Sequence, residues 1–176
     1  MVFAHNVVYL QRDNPSERQS VPNRPYHKYN MQNLITILHK ENCSLVIRST
    51  RGAISLFSKK GVRDLVWLLD NLPSLLYGSQ VADKVVGKAA AGLMVRGGVK
   101  EVYGDVMSRM ALPLLDDAGI TYSYGELTDK IIIADGDTRC PLEEIVRDAT
   151  SADEVESLLR HHFSEMQKTN KSEDNL

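Results

Sequence analysis

Lys84 and Lys88 stand four residues apart, and two ammonium groups at that spacing share one face of a helix. Such a pair can hold an anion, or serve as base or nucleophile where burial depresses a lysine pKa. Asp83 precedes them, and its carboxylate either neutralises the pair or accepts ribose hydroxyls beside a bound phosphate. Ser108 and Arg109 open a second helical pattern. Ser108 reads as an N-cap, and Arg109 adds a third cation near a helix start. Helix starts carry unpaired N–H groups and partial positive charge, so two of them with three cations ask for an anion. Cys140, just before Pro141, sits at the head of another helix, where backbone N–H groups favour a thiolate; plain packing of the thiol is the alternative. Cys43 reads as packing. Gly87-Lys88 fails as a phosphate-binding loop, because Ala82 stands where the loop needs Gly and Ala89 where it needs Ser or Thr. His161 and His162 point about 100° apart on a helix and do not grip one metal.

The surrounding segments must position these groups. Leu34, Ile37 and Leu38 follow helical spacing and predict a first helix ending near Glu41. Ser44 to Thr50 and Ala53 to Ser58 are β-rich runs joined by Arg51-Gly52, a hairpin pattern. Val62, Leu65, Val66, Leu69 and Leu72 lay an apolar stripe on a helix that Pro73 ends or kinks. Asp83 to Arg96 is Ala-rich and is followed by Gly97-Gly98. It reads as one buried helix with Asp83 near its N-cap, Lys84 in its first turn and Lys88 one turn on. Lys100 to Asp105, a helix from Ser108 to Ala118 stopped by Gly119, and Ile120 to Tyr124 form a strand, helix, strand unit, hence a right-handed parallel crossover. Lys130 to Ala134 follows too closely to cross over and is expected to pair antiparallel. Pro141 suits the first turn of a helix, and Ser151 with Glu154 forms a capping box for the last one. Residues 1–30 carry Pro15, Pro22 and Pro25 with no sustained period, so they form an arm expected to be disordered or loosely docked. Residues 31–167 make a single domain, and 168–176 a polar tail expected to fray.

Three segments, ENCSLVIRSTRG, VADKVVGKAAAGLMVRGGVKEVYGDVMS and TRCPLEEIV, resemble a small prokaryotic family of unknown function with a cytidine-deaminase-like fold. The resemblance spans roughly Met31 to Phe163. It implies an α/β, three-layer α-β-α architecture, with a mixed five-stranded sheet, helices on both faces and two helix starts facing one cavity. Zinc chemistry is not implied. Zinc deaminases place His or Cys, one residue, then Glu at one helix start and Pro-Cys-x-x-Cys at the next. The matching positions here read Asp83-Lys84-Val85 and Ser108-Arg109-Met110. Without three ligands no metal lowers the pKa of a water, and without the Glu nothing shuttles the proton. No metal and no cofactor are expected.

With 176 residues, 43% apolar and 25% charged, the chain suits one globular domain. Its net charge of -2 and pI near 6.2 leave no broad basic field, which argues against nucleic acid as a partner. No apolar stretch approaches the roughly 20 residues of a membrane span, the first residues lack a secretory pattern, and two cysteines do not make a disulfide scaffold. The expected location is cytoplasmic. The first functional reading is a non-catalytic binding or regulatory module. It holds a nucleotide-like or phosphorylated small molecule through Asp83, Lys84, Lys88, Ser108 and Arg109. The second is a zinc-independent enzyme acting on a nucleotide or phosphorylated metabolite, with Lys84 or Lys88 and Cys140 as candidate catalytic groups. Self-association as a homo-oligomeric structural protein is the third.

Overall fold

The computed structural model describes residues 8–9, 30–59, 61–133 and 140–173. Leu34 and Leu38 stand one turn apart on α1 (Met31–Lys40), and both are fully buried with Cys43, Val46 and Ala82. Strands β2 (Leu45–Arg48) and β3 (Ile54–Phe57) form the expected antiparallel hairpin, and Gly52 takes the left-handed φ of +83° that its tip requires. Helix α2 (Arg63–Asn71) stops at Leu72, and Pro73 opens the short α3 (Pro73–Leu76), as a proline at a first helical position should.

The next segment corrects the sequence reading. Asp83 and Lys84 do not start a helix. They lie in strand β4 (Gln80–Val86), and α4 (Lys88–Arg96) begins only after Gly87. Val81, Val85 and Val86 around Asp83-Lys84 suit a central strand, paired on one side with β2 and on the other with β5. Strand β5 (Glu101–Ser108) passes through a 3-10 turn, Arg109–Ala111, into α5 (Leu112–Asp117) and returns as β6 (Thr121–Thr128), so the parallel crossover is present and both strands run longer than expected. The antiparallel strand expected at Lys130 to Ala134 does not form over its described part, where Ile132 makes only an isolated bridge; Ala134 lies outside the described residues. The chain instead turns inward, and Ile131 is buried. Helix α6 (Pro141–Ile145) and α7 (Ala152–Glu173) complete the fold. At the α7 start Ser151 and Glu154 make the reciprocal bonds of a capping box, at 3.2 and 3.3 Å.

Five strands in the order β3-β2-β4-β5-β6 form a mixed sheet, with β2 antiparallel to both neighbours and β4, β5 and β6 parallel. Val8–Tyr9, β1, adds a two-residue sixth strand beside β3. The rest of the arm up to residue 29 lies outside the described residues, while α7 stays helical to Glu173, past the expected start of a frayed tail. Helix α1 covers one face of the sheet. Helices α2, α4, α5 and α7 pack on the other around Leu65, Leu68, Leu93, Met94, Leu115 and Leu159. The small residues of α4 let α7 approach closely, and a Cβ at Gly92 would fall inside the Val155 side chain.

The three parallel strands share an irregularity. Pairing runs from Asp83↔Gly104↔Tyr124 directly to Val85↔Val106↔Glu126, skipping Lys84, Asp105 and Gly125 in one row. Val81 and Val86, five residues apart, therefore face the same core, as do Val102 and Met107. In a regular strand an odd spacing faces opposite sides. Asp83 supports the break by accepting the Val85 N–H at 3.0 Å, and Gly125 permits it, since a Cβ there would stand 2.8 Å from the Asp105 carbonyl oxygen.

Candidate functional site

Val86 pairs with Met107, so the starts of α4 and of the 3-10 turn leave the sheet side by side, at the C-terminal ends of adjacent parallel strands. This brings Lys88 next to Ser108 and Arg109, with Asp83 and Lys84 on β4 just before the strand ends. Lys88, Ser108 and Arg109 thus stand at a shelf formed by neighbouring strand ends, and Asp83 and Lys84 lie three and two residues back from the end of β4. Cavities of about 690, 460, 530 and 280 Å³ elsewhere are lined by other residues.

Most groups on the shelf have partners within the chain. Ser108 is fully buried, and its Oγ accepts the Met110 N–H at 3.2 Å, which makes it the N-cap. Arg109 pairs through Nε with Asp129 at 3.1 Å, both largely exposed. The Lys88 ammonium donates to the Arg147 carbonyl at 2.5 Å. Lys84 donates its backbone N–H to Ser44 O at 3.0 Å, and its side chain makes no hydrogen bond or ion pair among the described residues. Cys140 is the N-cap residue of α6, half-buried, with its N–H on Ile131 O at 2.9 Å. Cys43 packs beneath α1, where burial pushes its thiol pKa up.

The start of α4 is occupied by a residue that sequence reasoning missed. Glu143 of α6 is buried; its Oε2 accepts the Ile131 N–H at 2.7 Å and its Oε1 accepts the Lys88 N–H at 3.3 Å. A carboxylate from 55 residues downstream in the chain therefore stands where an external anion would meet that helix end. Gly87 makes room for it, since a Cβ there would lie 3.1 Å from Glu143 Oε1. The only signal in the sequence was the Cys-Pro-Leu-Glu run, Cys140 to Glu143, whose reach to Lys88 no spacing shows.

A second missed group lies along the skipped row. The Asp105 carboxylate bonds to His39 Nε2 at 2.7 Å, from the end of α1, and to the Tyr103 hydroxyl, whose pKa is raised by desolvation and by that bond. Asp83 is partly buried close by. Desolvation, with the negative charge of Asp105 adding to it, pushes its carboxyl up to about 7 against the N–H bonds of Val85 and Lys84. Among the described residues, no three His, Cys, Asp or Glu side chains converge as metal ligands. No described helix is long and apolar enough to cross a membrane.

A family model described as TM1506, domain of unknown function (DUF1893), matches residues 33–163. The chain belongs to the DUF1893 family. Among curated proteins, none matches it. The crystal structure of a DUF1893 family protein (TM1506) from Thermotoga maritima, at 2.70 Å resolution, aligns with a TM-score of 0.69 and 26% identity, over 84% of this chain and 99% of that one. The DUF1893 match coincides with the stretch over which the sequence resembles a family of unknown function, and it takes in every shelf residue together with Cys140 and Glu143.

Proposed function

We propose that this DUF1893 protein is a non-catalytic binding or regulatory module that holds a small nucleotide-like or phosphorylated ligand on the β4–β5 shelf, within a deaminase-like scaffold that lacks zinc. The observation that supports the reading is the Val86↔Met107 register, which sets two helical starts side by side, with Lys88 and Arg109 at those starts and Lys84 two residues back from the end of β4. Crevices at the C-terminal ends of parallel strands are where open α/β sheets take ligands. The strand order, with one antiparallel strand beside three parallel ones, supports the deaminase-like scaffold. The α4 start reads Lys88-Ala89-Ala90, which supplies neither a metal ligand nor a proton-shuttling Glu.

Glu143 already caps α4, so the reading relies on side chains. Among the described residues the Lys84 side chain makes neither a hydrogen bond nor an ion pair, and the exposed pairing of Arg109 with Asp129 contributes only about 0–1 kcal/mol, which a phosphate can replace. In this reading the ionised Asp83 accepts ribose hydroxyls with the oxygen that the Val85 N–H does not use. The test is a thermal-shift panel of nucleoside mono- and diphosphates and sugar phosphates on the full chain. At a ligand concentration of about 100 times Kd the expected stabilisation is about 2.7 kcal/mol. The double variant Lys84→Ala/Lys88→Ala is expected to lose it while keeping the parent's far-ultraviolet circular dichroism. A panel that stabilises nothing, or full stabilisation of the double variant, overturns the reading.

A further inference from the structure

The opposite end of the sheet carries a cavity of about 690 Å³ between the β2–β3 hairpin tip, the Leu72-Pro73 turn and the end of α4. That size lies within the range of about 300–1,000 Å³ typical of small-molecule sites. Leu72, Pro73 and Leu75 give it apolar lining, and Thr50, Arg51 and Ser74 line its polar part. Tyr77 also lines it, and the residue is 73% exposed, an unusual position for a large aromatic held at a fixed place.

Three glycines hold these walls in place. A Cβ at Gly98 would stand 2.8 Å from Tyr77 Cδ2, so the ring rests on bare backbone with most of its surface uncovered. A Cβ at Gly78 would stand 2.8 Å from Thr50 Cγ2, and one at Gly97 would stand 2.8 Å from the buried Leu76. Gly78 and Gly98 also adopt φ of +67° and are joined by a 2.7 Å bond from Gly78 N to Gly98 O. The polar groups are open to a ligand. Arg51, Thr50 and Ser74 make no side-chain hydrogen bond or ion pair among the described residues, whereas Arg96, also at the cavity, is committed to Asp153 and Glu156 at 2.6 Å each.

We propose that this cavity is a binding site for a planar aromatic anion, with the ring stacked on Tyr77 and the anionic group held by Arg51 and the hydroxyls of Thr50 and Ser74. Stacking matches a flat uncovered ring, and a guanidinium with no ion pair among the described residues has none of those to give up on binding. The site is separate from the β4–β5 shelf and does not depend on it.

The probe is 2-naphthoate, titrated into the full-length protein and followed by 1H–15N spectra, with benzoate-free buffer and inorganic phosphate as controls. Amide shifts are expected at Thr50, Arg51, Tyr77 and Gly98. Tyr77→Ala is expected to weaken binding about tenfold and Arg51→Gln by a similar factor, while Tyr77→Phe binds like the parent. The shelf variant Lys84→Ala/Lys88→Ala is also expected to bind 2-naphthoate like the parent, so failure of one site is distinguishable from failure of the other. Shifts confined to other residues, no saturable shift at all, or unchanged affinity in folded Tyr77→Ala overturn the proposal.

Discussion

The two ends of the parallel strands differ in how far their polar groups are already satisfied. At the C-terminal end, Glu143 caps α4, Ser108 caps the 3-10 turn, and Lys88 and Arg109 bond within the chain, which leaves the Lys84 side chain without a partner among the described residues. At the other end, Tyr77 and Arg51 border a cavity where the guanidinium has no partner among the described residues. The conspicuous charged motif has been drawn into the chain's own bonding, while the open groups come from turns with no motif. A cluster of cations in a sequence is therefore a statement about local potential, and the intramolecular partners decide how much of it a ligand meets.

Three changes test this contrast. The largest effect is expected from Glu143→Ala, which leaves the Ile131 and Lys88 N–H groups without their acceptor. Each unsatisfied buried donor costs about 1–3 kcal/mol, so urea unfolding should show a loss of about 3 kcal/mol, with Glu143→Gln losing less. A loss under about 1 kcal/mol would mean that the α4 start is not internally capped and is open to an external anion.

Asp83→Asn comes next and is pH-dependent. The folded carboxyl titrates near 7 against an ordinary value of 3.8, so the folded state holds the proton more tightly. The stability this gives is complete below about pH 4 and is lost as the pH rises through 7. Asparagine stays neutral and its amide oxygen can still accept the Val85 N–H. The variant should match the parent below about pH 4 and exceed it by about 2 kcal/mol at pH 8, a figure reduced from about 1.4 kcal/mol per pKa unit because part of the side chain meets water. Equal curves at both pH values would remove Asp83 as the buried charge of the shelf.

The smallest effect is expected from Gly98→Ala, which forces a left-handed residue to carry a Cβ against Tyr77. About 1–2 kcal/mol of stability should go, and 2-naphthoate affinity should fall with it as the ring is displaced. Loss of stability with unchanged affinity would separate the cavity from the Tyr77 platform.

Features set by neighbours in the chain were legible in the sequence. The hairpin at Arg51-Gly52, the stop at Pro73, the Ser108 cap, the Gly97 stop and the Ser151–Glu154 box all depend on residues within a few positions of one another, and each stands as expected. Strand β4 was not legible. Asp83 and Lys84 interrupt its apolar run, and the alanines that follow extend a helical pattern back across Gly87. Only pairing with β2 and β5 on both sides makes that segment a strand, which is tertiary context overriding local propensity. Glu143 escaped for the same reason, since its partners lie 12 and 55 residues away. Lys130 to Ile133 looked like a strand by composition, yet Ile131 turns into the core and gives its N–H to that same carboxylate. The shelf was legible as a set of residues, but its internal bonding was not.

The row skipped by the parallel strands also governs how the chain tolerates changes in length. Because Lys84, Asp105 and Gly125 leave the ladder together, each strand changes parity at the same level and the register before and after stays the same. Deleting Asp105 alone would slip Val106, Met107 and Ser108 by one place while their neighbours stayed put, taking the fully buried Met107 and Ser108 out of their sites. The hairpin tip at Arg51-Gly52 has no such constraint, and a Cβ at Gly52 meets nothing within 4 Å. The middle of the sheet, by contrast, can change length only by altering three strands at once.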